Sequence, residues 1–208
     1  MGVTADAQPR PFADRAARVI SAVTSPYLAA AVTGVLMVYF LHPTPAQLLL
    51  WGGVCLLFAA VIPFAVVYLL RRAGQVTDLH VALRRQRATP FVATLISVAC
   101  GILLLQVLRA PAPLLALGVA FLANGTFLTL ISLRWKISAH SAVFAAGAFA
   151  IALLGYPAAL WALVLVPLIL WARVYRRRHT LWQGLFSLAL TAIVTPLAYH
   201  ATLWVLRP

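Results

Sequence analysis

The stretch "ARVYRRRHTLWQG", residues 172–184, separates two apolar segments near the end of the chain and holds four arginines and a histidine. Arg173 lies six residues before His179, and Gln183 lies four residues after it. Charged side chains are costly inside a lipid bilayer, so such a stretch marks where one apolar segment ends and the next begins. The same alternation of apolar runs and short cationic clusters recurs along the rest of the chain.

The composition indicates that the apolar segments are surrounded by membrane lipid. Hydrophobic residues make up 64% of the 208 residues and charged residues only 9%, which is typical of an integral membrane protein. Seven segments come close to the roughly 20 residues that a helix needs to cross a bilayer. We therefore expect an all-α polytopic transmembrane bundle of about six to seven spans, forming a single domain over residues 1–208. The segments cover approximately residues 26–41, 47–70, 90–108, 113–133, 141–156, 158–171 and 181–206.

Local signals refine this arrangement at two places. Residues 1–20 combine arginines with Phe12, Val19 and Ile20, which predicts a polar tail that leads into an interfacial amphipathic segment. Gly155 and Pro157 break the helical pattern between the fifth and sixth segments, so these two are expected to form a tight hairpin.

Basic residues fall unevenly between the two sides of the seven-span arrangement. By the positive-inside rule, the side that carries most of them is cytoplasmic. The sequence thus predicts a multi-pass protein of the cell membrane with its N-terminus inside, attracted to anionic lipids, and no nucleic-acid partner is expected. Only Arg109 and Arg207 fall on the other side; the predicted cytoplasmic side holds Arg10, Arg15, Arg18, Arg71, Arg72, Arg84, Arg85, Arg87, Arg134, Lys136, Arg173, Arg176, Arg177 and Arg178.

Three polar clusters interrupt the apolar segments. They are "TDLHVALRRQRATP" at 77–90, "RWKISAHS" at 134–141 and "RVYRRRHT" at 173–180. Two predicted crossings separate each cluster from the next, so all three are expected on one side of the membrane. Clusters far apart in sequence can therefore form one site. Asp78, one of three acidic residues in the chain, is expected to pair with Arg84 or Arg85 and so to order the first cluster.

The clusters resemble the motifs of the type-2 phosphatidic acid phosphatase family. "KISAH" is similar to the family's Lys-Pro-Ser-Gly-His, and Arg173-x5-His179-x3-Gln183 is similar to its Ser-Arg-x5-His-x3-Asp. The first cluster loosely resembles the family's Lys-x6-Arg-Pro, and the likeness covers the chain from about Thr77 to about Gly184. The chain departs from the family at the lysine, proline, glycine, serine and aspartate positions, which hold His80, Ile137, Ala139, Ala172 and Gln183.

The resemblance implies a role for each matching residue. His179 would be the nucleophile that forms a phosphohistidine, and His140 the general acid. Arg173 and Arg87 would bind the phosphate oxygens, because phosphoryl transfer depends on positioning and charge stabilisation. Arg84 and Lys136 are also expected to bind the phosphate, and Ser138 with the backbone N–H groups near Ala139 would complete the binding site. No metal or other cofactor is expected, since the sequence has no carboxylate cluster to hold a metal.

Gln183 decides between two functions. Its amide can accept a hydrogen bond from the imidazole of His179, one helical turn away, but it lacks the charge of the family's aspartate. The first hypothesis is a metal-independent phosphoric ester hydrolase acting on a membrane lipid, such as phosphatidate, phosphatidylglycerophosphate or a polyprenyl phosphate or diphosphate. The alternative is a weak or silent lipid-phosphate binding protein of the same fold. A small transporter is a third possibility, although it lacks the intramembrane acidic residues usual in ion-coupled pumps. The oligomeric state is left open.

Overall fold

The computed structural model of the protein describes residues 11–79, 81 and 83–207, with the backbone alone at Arg84. Every regular element in these residues is helical, so the predicted all-α bundle is confirmed. A π-helical turn (Leu57–Val61) joins α3 to α4, a 3-10 helix (Pro157–Leu165) leads into α8, and a short 3-10 turn (Arg84–Gln86) precedes α5. The α-helices are α1 (Pro11–Val23), α2 (Pro26–Tyr39), α3 (Pro45–Leu56), α4 (Ile62–Arg72), α5 (Ala88–Val107), α6 (Ala112–Arg134), α7 (Ala139–Leu153), α8 (Val166–Tyr175) and α9 (Leu181–Val205).

The helices have the length and composition of membrane spans. Five helical segments of the described chain are long and apolar enough to cross a bilayer, and the bent pair α1–α2 makes a sixth if it is counted as one span. α7 is apolar but has only 15 residues, about 22 Å, which is shorter than a hydrocarbon core of about 30 Å. The five segments are Pro45–Arg72, Ala88–Val107, Ala112–Arg134, Pro157–Tyr175 and Leu181–Val205.

Two of the predicted spans end earlier than the sequence pattern indicated: α2 ends at Tyr39 rather than at residue 41, and α7 ends at Leu153 rather than at residue 156. α2 begins at Pro26 behind the capping side chain of Ser25, and the chain bends by 44° from α1 at this point. α7 ends before Gly155, which has a φ of +97° that glycine adopts without strain, and before Pro157. The hairpin predicted there is present, because α7 packs against the 3-10 helix that follows.

The connections between helices gather at two opposite ends of the bundle. At one end, the hydroxyl of Tyr156 is hydrogen-bonded to Nε2 of His42 at 2.7 Å, and the indole N–H of Trp51 donates to the carbonyl of Leu108 at 3.4 Å. These contacts join the segments that follow α2, α5 and α7. The three polar clusters, which precede α5, α7 and α9, meet at the other end.

Small side chains allow the helices near the clusters to approach closely. A Cβ atom at Gly184, in the first turn of α9, would overlap the side chain of Leu170 on α8. A Cβ atom at Gly147 of α7 would likewise overlap Thr33 of α2. Close backbone approach through small residues is the usual mode of helix packing in membranes, where no hydrophobic force drives helices together. The absence of a side chain at Gly184 therefore lets Leu170 of α8 lie against the backbone of α9.

The π-helical turn between α3 and α4 leaves one carbonyl without a partner in its own helix. In a π-helix the carbonyl of Phe58 would accept from the residue five positions later, but that residue is Pro63, which has no N–H. The hydroxyl of Ser97 on α5 donates to the Phe58 carbonyl instead, at 2.7 Å. This hydrogen bond satisfies a backbone group inside an apolar bundle and ties α5 to the π turn.

The predicted interfacial segment forms α1, which packs against α8. Asp14 and Arg18 form an ion pair one helical turn apart, while Phe12 is 86% exposed. An exposed aromatic ring beside charged side chains is the composition of an amphipathic helix at a membrane surface. The part of the predicted tail before Pro11 lies outside the described residues.

Candidate anion-binding site

The turn after α8 explains why Arg173 and His179 are six residues apart. Arg177 adopts a left-handed φ of +51°, its N–H donates to the carbonyl of Val174 at 2.8 Å, and the N–H of Arg178 donates to that of Arg173 at 3.0 Å. These two bonds define a Schellman motif, which ends helices by turning the chain back on itself. The N–H of His179 also donates to the Arg173 carbonyl, at 3.3 Å. The turn therefore places the backbone of His179 beside that of Arg173.

The start of α9 explains the position of Gln183. Thr180 is the N-cap, its hydroxyl accepts from the N–H of Gln183 at 3.3 Å, and Oε1 of Gln183 accepts from the N–H of Thr180 at 3.1 Å. This reciprocal pair is a capping box. Oε1 of Gln183 also lies 3.2 Å from Nδ1 of His179. The backbone N–H of Thr180 can only donate, so its partner on Gln183 is the amide oxygen and not the amide nitrogen. An amide oxygen can only accept, so Nδ1 of His179 carries the proton and Nε2 has the lone pair.

Arg87 joins the first polar cluster to the second. Its Nε donates to the carbonyl of Val81 at 3.0 Å, and its Nη1 donates to the carbonyl of Ile137 at 3.2 Å. Val81 has a φ of +45°, a strained backbone for a β-branched residue, and is buried with its carbonyl held by the guanidinium. These two bonds involve Nε and Nη1 but not Nη2.

The second cluster supplies the start of α7. Ser138 is the N-cap, but its side chain makes no capping hydrogen bond, and its buried hydroxyl has no hydrogen-bond partner among the described residues. Ala139 and His140 form the first helical positions. The N–H groups of a helix's first turn lack partners within the helix, and an anion is one way to satisfy them. α5 likewise begins at Arg87 without a side-chain cap.

A cavity of about 200 Å³ opens between these elements and extends into the bundle. Its polar end is lined by residues from all three clusters. The arginine and histidine side chains among them are buried, with exposed fractions of 3–8%. Arg173 contributes a guanidinium whose Nε and Nη1 have no hydrogen-bond partner among the described residues. The residues at the polar end are Arg87, Ala139, His140, Arg173 and His179.

The electrostatic balance of the polar end is strongly positive. Lys136 lies close enough to Arg87, Arg173 and Arg178 that these cations, after burial, lower its pKa. Asp78 is the carboxylate that acts on this group, and its Oδ2 lies 3.4 Å from Nη1 of Arg178. A buried cation without a counter-ion costs several kcal/mol, so the site is suited to bind an anion.

The same environment keeps His179 neutral. Burial, the guanidinium groups of Arg173 and Arg87 and the ammonium of Lys136 lower its pKa from 6.5 to about 3, against the opposing effect of the bond to Gln183. The imidazole is therefore uncharged at physiological pH, with the Nε2 lone pair available. A neutral imidazole with a defined tautomer can attack phosphorus, whereas an imidazolium cannot.

The structure brings together most of the residues that the sequence singled out, but some of them do not line the cavity or lie outside the described residues. Ser138 is completely buried and is not among the described residues that line the cavity. The side chain of Arg84 and all of His80 lie outside the described residues. The sequence did not predict the bonds of Arg87 to the carbonyls of Val81 and Ile137. Main-chain carbonyls are present at every residue, so no sequence pattern indicates which of them a side chain will contact.

The fold and the site define a class of protein: a helical membrane bundle with a buried cationic site at one end, where three chain segments meet. Among the described residues, no group of three His, Cys, Asp or Glu side chains could hold a metal ion. No protein-family model matches the chain, and no curated protein or solved structure matches it either.

Proposed function

We propose that the protein is an integral membrane lipid phosphatase of the type-2 phosphatidic acid phosphatase family, which hydrolyses a phosphate monoester or diphosphate of a membrane lipid. The observation that carries the proposal is the guanidinium of Arg173. It is 4% exposed, has two nitrogens without hydrogen-bond partners among the described residues, and lines one cavity with His140 and His179. A phosphate group would supply the missing acceptors and the missing negative charge.

The reaction would proceed in two displacements at phosphorus. Nε2 of His179 attacks phosphorus, the bond to the lipid oxygen breaks, and His140 gives a proton to that oxygen. A water molecule that returns a proton to His140 then attacks the phosphohistidine and releases inorganic phosphate. Arg173 and Nη2 of Arg87 would neutralise the phosphate oxygens in both steps. Gln183 would hold Nδ1 and so keep Nε2 directed to the substrate.

A second candidate function, a silent lipid-phosphate binding protein, is favoured by the capping box of α9. The box accounts for a glutamine at position 183 without any catalytic role. A neutral amide also cannot offset the positive charge that develops on a phosphorylated imidazole ring.

The test is phosphate release by the purified protein from a panel of lipids. The panel contains phosphatidate, phosphatidylglycerophosphate, a polyprenyl monophosphate and a polyprenyl diphosphate, each in mixed micelles. Release from at least one lipid, unaffected by a chelator, is the expected result. Retention of the lipids without any phosphate release would reject the phosphatase and leave the binding protein.

Restoring a charge at position 183 is expected to raise turnover about ten- to a hundredfold, because a carboxylate stabilises a charged imidazole better than an amide does. Gln183→Glu is the sharper change, since it preserves the length of the capping side chain, and Gln183→Asp restores the residue of the family motif. The measurement is kcat for the best lipid of the panel.

The other end of the bundle offers a matched control. Gln47 occupies the same position in the capping box of Thr44 at the start of α3. Gln47→Glu changes the same kind of cap far from the site and should leave kcat within about twofold. A fall in activity with Gln183→Glu in a folded protein would show that the site depends on an uncharged partner for His179.

We also propose that the site faces the cytoplasm, because the basic residues concentrate at this end of the bundle. Two exposed positions test it in a background with Cys100 replaced by serine: Arg85→Cys near the site and Ala46→Cys at the opposite end. A membrane-impermeant thiol reagent added outside intact cells should label Ala46→Cys and spare Arg85→Cys. The reverse pattern would invert the orientation without changing the site.

A further inference from the structure

The cavity that begins at the polar end continues through most of the bundle. On α5 its lining residues recur on one face, from Pro90 and Phe91 in the first turn to Ile102 and Leu105 in the last. The other walls come from α2, the π turn with its neighbours, α6 and α7. Beyond the polar end the lining is mostly apolar. Among the polar exceptions, Thr94 donates to the carbonyl of Pro90. The side-chain N–H groups of Asn124 donate to Ala120 and Thr195, while its Oδ1 has no hydrogen-bond partner among the described residues.

The length of the cavity exceeds one leaflet. Fifteen residues separate Pro90 from Leu105, which corresponds to about 22 Å at about 1.5 Å per residue. One leaflet contributes about half of a hydrocarbon core of about 30 Å, or about 15 Å. A chain that fills the cavity from the polar end would therefore pass the middle of the bilayer.

The width of the cavity suits one chain. Its volume of about 200 Å³ corresponds to about 13 to 20 water-sized positions. At about 2.8 Å per water, a length of about 22 Å holds about eight layers of water. The cavity therefore has room for about two waters in each layer on average. Carbon atoms in contact lie about 3.5–4.0 Å apart, so such a passage holds one extended hydrocarbon chain but not two side by side.

We propose that this cavity is the binding site for the tail of a lipid with a single long chain, of the polyprenyl phosphate or diphosphate type, whose head group lies against Arg87 and Arg173. The proposal rests on the proposed function for the position of the phosphate and narrows its substrate to one class. The cationic end and the apolar passage form one continuous space, which matches an anionic head joined to one long apolar chain. A diacyl lipid would leave its second chain outside the passage.

Two substitutions on the cavity face of α5 block it at different depths. Val98→Trp fills the passage about 12 Å from Pro90, and Ile102→Trp fills it about 18 Å from Pro90. Both residues line the cavity, so the added bulk can extend into open space, although the side chain of Ile102 also packs against Gly118 of α6. The matched control is Ile96→Trp, on the same helix at nearly the same depth, where the side chain is 60% exposed and does not line the cavity.

The substrates are a long-chain polyprenyl phosphate, polyprenyl phosphates of intermediate length, dimethylallyl phosphate and a diacyl phosphatidate. Each buried methylene favours binding by about fourfold, so exclusion of about three to four methylenes lowers kcat/KM about a hundredfold. We expect Val98→Trp to cause this loss for the long chain and to change dimethylallyl phosphate less than about twofold. Ile102→Trp should accept longer chains than Val98→Trp, and Ile96→Trp should match the wild type.

Equal losses for long and short substrates, or a preference of the wild type for the diacyl lipid, would overturn the proposal while leaving the phosphatase intact. If the wild type hydrolyses none of the substrates, retention of radiolabelled long-chain polyprenyl phosphate decides instead. Retention by the wild type and by Ile96→Trp, lost in Val98→Trp, would support the tail site and reject only the catalysis. Equal retention by all the variants, or by none, would reject the tail site.

Discussion

His179→Ala is expected to lower phosphate release by at least about four orders of magnitude, because no other group can take the place of a nucleophile that forms a covalent intermediate. Acid-labile phosphate should be trapped on the wild type when it is quenched during turnover of a radiolabelled lipid phosphate, and it should be absent from His179→Ala. The two measurements together separate a nucleophile from a residue that only binds substrate.

His200→Ala is the control for this change, since His200 lies exposed on the same helix, near its opposite end. It should retain both turnover and the trapped phosphate. The pH profile adds a second readout. With a pKa of about 3 in the ligand-free site, His179 remains in its reactive neutral form, so its protonation should not lower kcat/KM between about pH 5 and about pH 8. Phosphate release by His179→Ala equal to that of the wild type would remove His179 from the mechanism.

Arg173→Lys is expected to lower kcat/KM about a thousandfold, in the lower range of what an arginine contributes to phosphoryl transfer. Lysine preserves the charge but not the planar guanidinium that binds two phosphate oxygens at once. Its side chain is also shorter, so its ammonium lies farther from the phosphate. Arg173→Ala should be at least as damaging, because it also removes the charge. Steady-state kinetics with the preferred lipid measure both variants.

Arg177→Lys provides the matched control, because Arg177 is an exposed arginine in the turn that follows α8. It should change kcat/KM by less than about twofold. Activity of Arg173→Lys equal to that of the wild type would mean that the unpartnered guanidinium does not bind phosphate. In that case Arg173 would be interpreted as a part of the turn that positions His179.

Much of the fold could be predicted because membrane helices follow simple rules of length and composition. The apolar runs marked the helices, and the even number of crossings between clusters placed Arg87, His140 and Arg173 at one end of the bundle. The spacing from Arg173 to Gln183 was also visible in the sequence. Its physical cause was not, because the Schellman motif uses Arg177 in a conformation that usually indicates glycine.

Other features depended on tertiary contacts that no sequence pattern encodes. The ion pair between Asp78 and Arg178 joins residues 100 positions apart. The sequence predicted a pair of Asp78 with Arg84 or Arg85, and the side chain of Arg84 lies outside the described residues. The cavity exists because helices from several parts of the chain leave a gap between them, and its length could not be derived from any one of them. The use of Arg87 Nε and Nη1 to hold two carbonyls reduces the part of that guanidinium that can face a ligand.

The carbonyl of Arg173 accepts two backbone hydrogen bonds, and these bonds limit how far the site rearranges when a substrate binds. Because the N–H groups of Arg178 and His179 both donate to the carbonyl of Arg173, the backbone segments that carry the imidazole and the guanidinium are joined in one unit. A substrate would meet groups already oriented, so little binding energy would be lost to ordering a loop. Motion needed for lipid entry must then come from elsewhere, and the amides of this turn should exchange with deuterium as slowly as those of α8 itself.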